Sequence, residues 1–183
     1  MNARENIALI GFMGTGKSSV GRLVARKLQW RFADTDQIVE KRAGRSISSI
    51  FADDGEPLFR EQERAALEAL RDEDGQVIAT GGGIVTRAEN VQLLREIAFV
   101  VWLTADEETI FERVSRNAKR PLLQTPNPRE TVATLLHERR PFYATAAHCT
   151  VDTTHRTHGE IANCIIAESN AFFAPSRAAR GSG

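Results

Sequence analysis

The chain has 183 residues, enough for one domain whose hydrophobic core is stable without disulfides or metals. Its 24 Lys and Arg residues balance 24 Asp and Glu residues, and this zero net charge argues against a general binder of nucleic acids or membrane surfaces. The two cysteines, Cys149 and Cys164, form no CxxC pair, and no apolar run reaches the roughly 18 residues of a membrane span. We therefore expect a protein of the reducing cytoplasm with no membrane or nucleic-acid partner.

Short apolar runs and amphipathic segments alternate along the chain and predict its secondary structure. The runs that predict buried strands are 7–10, 30–34, 77–80, 98–103 and 149–151. Helical spacing of apolar residues predicts helices over 18–28, 58–70, 104–114 and 131–143. A capping box, Thr104–Glu107, is expected to start the third of these helices. This alternation predicts an α/β fold, a three-layer α/β/α sandwich around a five-stranded parallel sheet.

Two segments do not follow this alternation. Residues 119–130, KRPLLQTPNPRE, contain three prolines and no periodic apolar spacing, which predicts a mobile loop. Residues 174–183 carry few apolar side chains large enough for a core, which predicts a disordered tail. The sequence therefore predicts a single domain over 1–173.

The stretch GFMGTGKS, from Gly11 to Ser18, fits the pattern G-x-x-x-x-G-K-[ST] between a predicted strand and a predicted helix. Its glycines let backbone N–H groups turn inward around an anion, and the helix adds the positive end of its dipole. Lys17 can then reach the outer phosphates of a nucleoside triphosphate, and the Ser18 hydroxyl can bind Mg²⁺. A glycine-rich turn without a ligand is the alternative. The residues expected to bind the nucleotide are Gly14, Thr15, Gly16, Lys17, Ser18 and Ser19.

Two further elements follow predicted strands, at the carboxyl ends where ligands bind to parallel sheets. In DTD at 34–36, one carboxylate could hold the waters of a magnesium ion and the other could accept a hydroxyl proton. Capping of the next helix by Asp34 and Gln37 explains the same pair equally well. The glycines 81–83 could let a substrate lie against bare backbone, or could form a loose turn.

Three arginines, Arg60, Arg120 and Arg139, stand at helix starts or loop edges. A guanidinium group suits a carboxylate or a phosphate, although most surface arginines are merely solvated. A set of such arginines around one site would favour an anionic substrate over a neutral sugar.

These elements occur together in the order of one family. The motifs are DTD at 34–36, DGEPLFREQE ending at residue 63, GGGIV at 81–85, RPLL at 120–123 and RRPFY at 139–143. On these motifs the chain resembles shikimate kinase from about Ile7 to about Ile166. The resemblance implies a P-loop fold of the nucleoside monophosphate kinase type, with a mobile lid at about 119–130 and a substrate-binding helical region at about 35–63. It also implies ATP-dependent phosphorylation of the 3-hydroxyl of shikimate, with Mg²⁺, in aromatic amino acid biosynthesis.

The resemblance also implies which residues bind the acceptor. Asp36 matches the residue that contacts the hydroxyl to be phosphorylated, so it is the candidate general base. Arg60 and Arg139 match the pair that grips the shikimate carboxylate, and Gly82 offers its backbone to the same molecule.

On the nucleotide side, the resemblance implies that Asp34 helps to hold Mg²⁺ and that Arg120 reaches the ATP phosphates from the lid. Lys17 and Arg120 would act in catalysis together with the general base. Arg113 matches a position that stacks on adenine, and Arg156 matches one that lines the adenine pocket. His158 departs from the family, because many members carry a proline there, and we expect it to be a surface residue.

Three other functions are weighed against this one. Gluconate kinase has a similar P-loop and a carboxylate-bearing polyol as its acceptor, but the DTD, GGG and RRPFY motifs argue against it. A catalytically silent binding protein would be expected to lose Lys17, Asp36 or the paired arginines, and all are present. A GTPase switch needs an N-K-x-D element, which the sequence lacks. A monomer is expected, since no long apolar helix face is left over.

Overall fold

The apolar runs form strands of a single parallel sheet. The molecule is represented by a computed structural model that describes residues 5–115 and 126–180. The strands are β1 (Ile7–Ile10), β2 (Arg31–Asp34), β3 (Gln76–Ala79), β4 (Phe99–Thr104) and β5 (Cys149–Asp152). Their order in the sheet is β2-β3-β1-β4-β5, and all the pairings are parallel.

Helices connect successive strands, as is usual for parallel pairing, and a last helix follows β5. They are α1 (Lys17–Leu28), α2 (Thr35–Ala43), α3 (Ile47–Glu68), α4 (Ala88–Ile97), α5 (Glu107–Ser115), α6 (Pro128–Ala146) and α7 (His158–Arg180). A short 3₁₀ turn, Ile84–Thr86, precedes α4. Within α3, Gly55 has non-helical backbone angles, so the helix is kinked there and its second half takes a new direction.

Both faces of the sheet are buried, because successive residues of a strand point to opposite sides. On one face, Ala8 of β1 packs in a cluster with Leu94 of α4 and residues of α6. On the other face, Leu9 packs in a cluster with Val24 of α1 and Ile165 of α7. The predicted three-layer α/β/α sandwich is thereby confirmed.

The sheet order decides where a ligand can bind. Strand β1 lies between β3 and β4. The chain first forms β2 and β3 on one side of β1, and then β4 and β5 on the other side. Such a reversal opens a crevice beyond the carboxyl ends of the central strands. The GFMGTGKS loop, DTD and the three glycines all follow strands at this edge.

The predicted disordered tail is wrong for residues 174–180, because α7 continues to Arg180. Phe173 is buried in the core on the α1 side of the sheet. Four residues later, the Arg177 guanidinium donates hydrogen bonds of 2.6 to 3.0 Å to the carboxylate of Glu5. These contacts tie the last turns of the helix to the start of the sheet, which composition alone does not reveal. Residues 181–183 lie outside the described part of the chain.

Two other boundaries differ from the prediction. Thr104 ends β4, and α5 is instead capped by Asp106, whose carboxylate accepts a 2.7 Å hydrogen bond from the backbone N–H of Thr109. The end of the predicted mobile loop is helical, since α6 begins at Pro128, a residue that favours the first turn of a helix. The rest of that loop through residue 125, including Arg120, lies outside the described residues.

Candidate active site

The loop between β1 and α1 has the shape of a phosphate cradle. Gly14 and Gly16 have φ angles of +82° and +90°, a left-handed conformation that strains residues with side chains. The ammonium group of Lys17 donates hydrogen bonds of 2.8 Å to the carbonyl oxygens of Gly11 and Phe12. The loop therefore holds a positive charge at its centre, at the N-terminus of α1.

A cavity of about 350 Å³ opens beside this loop. Asp34 and Asp36 line it after β2, and Thr80 and Gly82 line it after β3. The loop residues that line it are Met13, Gly14, Gly16, Lys17, Ser18 and Ser19. Residues predicted from three separate motifs thus meet in one cavity.

Asp34 contacts both the helix that follows it and the phosphate loop. Its Oδ1 atom accepts hydrogen bonds from the backbone N–H groups of Asp36 (3.1 Å) and Gln37 (3.4 Å), which confirms that Asp34 caps the helix. Its Oδ2 atom accepts a 2.8 Å hydrogen bond from the Ser18 hydroxyl. Two oxygen donors therefore lie side by side at the cavity, and such hard donors fit Mg²⁺.

Asp36 is the most perturbed carboxyl group of the cavity. Burial, and then the negative charges of Asp34 and Glu63, raise its pKa from 3.8 to about 6, while Lys17 acts in the opposite direction. Its Oδ1 atom is buried and has no hydrogen-bond partner among the described residues. An acceptor without a donor in a cavity is suited to the hydroxyl group of a ligand.

Arg60 lies in the second half of α3, beyond the kink at Gly55. Its guanidinium donates a 2.8 Å hydrogen bond to Glu63, whose side chain is fully buried, and two more to Glu56 at 2.9 and 3.0 Å. It also lies against Gly83, where a Cβ atom would come within 2.4 Å of it. Burial raises the pKa of Glu63, and the charges of Arg60, Arg139 and further positive groups counter that effect.

Arg139, on α6, approaches the glycine turn (residues 81–83) from the other side. Its Nη1 atom lies 3.7 Å from the position that a Cβ atom on Gly82 would occupy. Its guanidinium carbon lies 5.7 Å from the centre of the Phe12 ring, in the phosphate loop. Arg60 and Arg139 therefore contact adjacent residues of one turn, at the edge of the cavity that contains Asp36.

The two residues predicted to bind adenine, Arg113 and Arg156, make different contacts in the structure. The Arg113 guanidinium donates hydrogen bonds of 3.0 Å to the hydroxyl and carbonyl oxygens of Thr153, and lies 3.4 Å from the Gly14 carbonyl. It thus borders the phosphate loop. Arg156 instead donates to the carbonyl oxygens of Asp152, at the end of β5, and Glu160, in the first turn of α7, at 3.4 and 3.5 Å.

His158, predicted to be a surface residue, is exposed, but it also lies at the phosphate loop. Its Nε2 atom is 3.9 Å from the position of a Cβ atom on Gly16. It is the first residue of α7, so its backbone is held by that helix.

Sequence reasoning missed three residues that support this site. Thr35, Glu63 and Tyr143 all belong to recognised motifs, but nothing in their spacing indicated their contacts. The Thr35 hydroxyl accepts a 3.0 Å hydrogen bond from the Gly81 N–H, and the Tyr143 hydroxyl donates a 2.5 Å hydrogen bond to the Gly82 carbonyl. Glu63 holds Arg60, as described above.

The protein has a parallel sheet with a phosphate loop after its central strand. The adjoining cavity contains a carboxylate of raised pKa, and two arginines lie at the edge of that cavity. These features define a P-loop phosphotransferase with an anionic acceptor. In the parts of the chain that the structure describes, none of the helices combines the length and the apolar character needed to cross a membrane.

Comparison with known proteins narrows this class. The family model described as "Shikimate kinase" matches residues 13–170. A curated shikimate kinase from Thermodesulfovibrio yellowstonii is 47% identical over 164 residues, which cover 90% of this chain and 94% of that protein. The structure is similar to that of shikimate kinase from Acinetobacter baumannii in complex with shikimate, with a TM-score of 0.87, 36% identity and coverage of 95% of this chain and 96% of that one. The chain belongs to the shikimate kinase family.

This family membership establishes the reaction as ATP-dependent phosphorylation of shikimate in aromatic biosynthesis. A gluconokinase from Sinorhizobium meliloti is also similar in structure, with a TM-score of 0.59 and coverage of 94% of this chain and 95% of that one. At 18% identity, that likeness shows a shared fold and no more.

Proposed function

We propose that shikimate binds between the glycine turn and Asp36, with its carboxylate on Arg60 and Arg139 and its 3-hydroxyl on Asp36. The observation that carries this proposal is the convergence of both guanidinium groups on Gly82 and Gly83, beside the cavity that joins Asp36 to the phosphate loop. Paired guanidinium groups favour a carboxylate ligand. Contacts with these groups at one end of shikimate and with Asp36 at the other would fix the orientation of the ring.

In this arrangement Asp36 acts as the general base. With a pKa of about 6, it is mostly ionised at neutral pH and is more basic than an ordinary aspartate. Its unpartnered Oδ1 atom can accept the hydrogen bond of the attacking hydroxyl. The hydroxyl oxygen then forms a bond to the γ-phosphorus, the bond from that phosphorus to the ADP oxygen breaks, and Asp36 takes the proton.

The phosphate loop would hold the nucleotide. Lys17 can exchange its bonds to the loop carbonyls for phosphate oxygens, so its charge would offset the charge of the transferring group. Ser18 and Asp34 have the donor atoms and proximity to hold Mg²⁺ between them, directly or through water. When bound, the ion would neutralise charge on the outer phosphates.

Further nucleotide contacts are proposed from the family motifs. Arg113 would face the adenine, since it borders the phosphate loop. Arg156 would need to leave its present carbonyl partners to do the same. Arg120 would bind the phosphates from the lid. A monomeric state and a cytoplasmic location stay predictions.

Calorimetric titration with shikimate, with and without a nonhydrolysable ATP analogue, tests the acceptor site. We expect binding of shikimate that is lost in Arg139→Ala and retained in Lys17→Met, because Lys17 serves the nucleotide. A coupled assay with gluconate in place of shikimate is the specificity control. Turnover of gluconate at a comparable rate, or shikimate binding that survives removal of both arginines, would contradict the proposal.

A further inference from the structure

The glycine turn has no side chains with which to fix its own shape. The backbone N–H groups of Gly82 and Gly83 have no hydrogen-bond acceptor in the described parts of the chain. They are therefore donors available to a ligand, and their directions depend on what holds the rest of the turn.

Hydroxyl groups from two other elements hold it. On the side of α2, Thr35 accepts the hydrogen bond of the Gly81 N–H. On the side of α6, Tyr143 donates to the Gly82 carbonyl at 2.5 Å. Tyr143 and Gly82 are 61 positions apart in the sequence, so this contact exists only in the folded chain.

Tyr143 is rigidly placed. Its side chain is fully buried and stacks on Trp102 of β4, with ring centres 5.8 Å apart. It lies one helical turn after Arg139, on the same side of α6. Burial raises the pKa of Tyr143 to about 12, although the neighbouring Arg139 guanidinium acts against that increase. The hydroxyl thus stays protonated at physiological pH and can donate to the carbonyl.

We propose that Tyr143 is a positioning residue, which couples Gly82 to Arg139 so that both meet the acid end of the acceptor in one fixed geometry. The hydroxyl does not line the cavity, so it acts through these two groups and not by touching the ligand. This inference rests on the proposed function for its assignment of Gly82 and Arg139 to shikimate.

The first test is Tyr143→Phe, which removes the hydroxyl and keeps the ring. We expect the KM for shikimate to rise about 5- to 30-fold, the range for one lost buried hydrogen bond, while the KM for ATP changes less than about twofold. The control is Val132→Ala, which weakens the packing of the same helix without touching the turn. It should lower Tm and leave both KM values unchanged. Equal rises for both substrates, or the same rise in the control, would overturn the proposal.

A double-mutant cycle separates this inference from the proposed function. If Tyr143 acts through Arg139, Tyr143→Phe should have a much smaller effect in an Arg139→Ala background. Full additivity would refute the coupling. If Arg139→Ala alone leaves the KM for shikimate unchanged, the carboxylate assignment itself fails. If Arg139→Ala raises the KM but Tyr143→Phe does not, only the positioning role fails.

A spectroscopic test needs no destabilising variant. The chain contains a single tyrosine, so incorporation of 3-fluorotyrosine gives one ¹⁹F resonance, at residue 143. Shikimate should shift this resonance, because it would bind to the Gly82 turn that the hydroxyl contacts and to the neighbouring Arg139 guanidinium, whereas gluconate should not. A resonance that does not respond to saturating shikimate would refute the proposal even if Tyr143→Phe fails to fold.

Discussion

Asp36→Asn should stabilise the ligand-free protein at neutral pH while removing most of its turnover. An increase of the pKa from 3.8 to about 6 means that folding disfavours the charged form by about 3 kcal/mol, at 1.36 kcal/mol per pKa unit. Since part of the side chain still reaches solvent, we expect a gain of about 2 to 3 kcal/mol in the free energy of unfolding. The asparagine amide can also donate to Glu63, whose Oε1 atom and Asp36 Oδ1 both lie within 2.7 Å of one point over Gly81.

The sign of the pH dependence follows from the raised pKa. Below about pH 3.8 both the folded and unfolded states are protonated at Asp36, and its contribution to stability is fully present. Between pH 3.8 and about 6 the folded state keeps a proton that the unfolded state has lost, so wild-type stability falls as the pH rises. Above about pH 6 this contribution of Asp36 to the free energy of unfolding is completely lost. The advantage of Asp36→Asn should therefore be large at pH 7.5 and nearly absent at pH 4.

Urea denaturation of the metal-free, nucleotide-free proteins at these two pH values measures the difference. Asp34→Ala is the comparison variant: loss of the α2 cap should cost about 1 kcal/mol, and removal of its charge beside Asp36 should offset part of that cost at pH 7.5 but not at pH 4. A variant Asp36→Asn that is less stable than wild type at pH 7.5, or whose advantage is the same at both pH values, would refute the reasoning. Unchanged kcat would separately remove Asp36 from the role of base.

Three further predictions concern the loop, the acceptor site and the glycine turn. Lys17→Met should abolish activity with an unchanged far-UV circular dichroism spectrum; residual activity above a few per cent would contradict its role. Arg139→Ala should raise the KM for shikimate at least about tenfold more than the KM for ATP, and equal effects would contradict the carboxylate assignment. Gly83→Ala should displace the guanidinium of Arg60, which would lie 2.4 Å from the new Cβ, and raise the KM for shikimate about tenfold or more. Gly44→Ala, where a Cβ would meet nothing within 4 Å, should lower Tm only, since its φ of +67° disfavours a side chain.

The local motifs of this protein could be read from the sequence because their residues act on near neighbours. In the phosphate loop, the strand, the glycines, Lys17 and the helix start are contiguous, so their spacing alone predicts an anion site. The same is true of Asp34, which caps the helix that begins at the next residue. The strands β1, β3 and β4, whose residues are almost all buried, and the amphipathic helices can likewise be predicted from the pattern within one element.

The contacts between elements that are distant in the sequence are determined by the tertiary structure. The pKa of Asp36 depends on burial and on Glu63, which comes from another helix, and no spacing predicts the approach of two carboxylates. The link from Tyr143 to Gly82 joins residues 61 positions apart, and the anchoring of α7 by Glu5 joins residues 172 positions apart. These contacts arise because packing the helices on both faces of the sheet fixes the distances between their side chains, and only that packing converts separate motifs into one site.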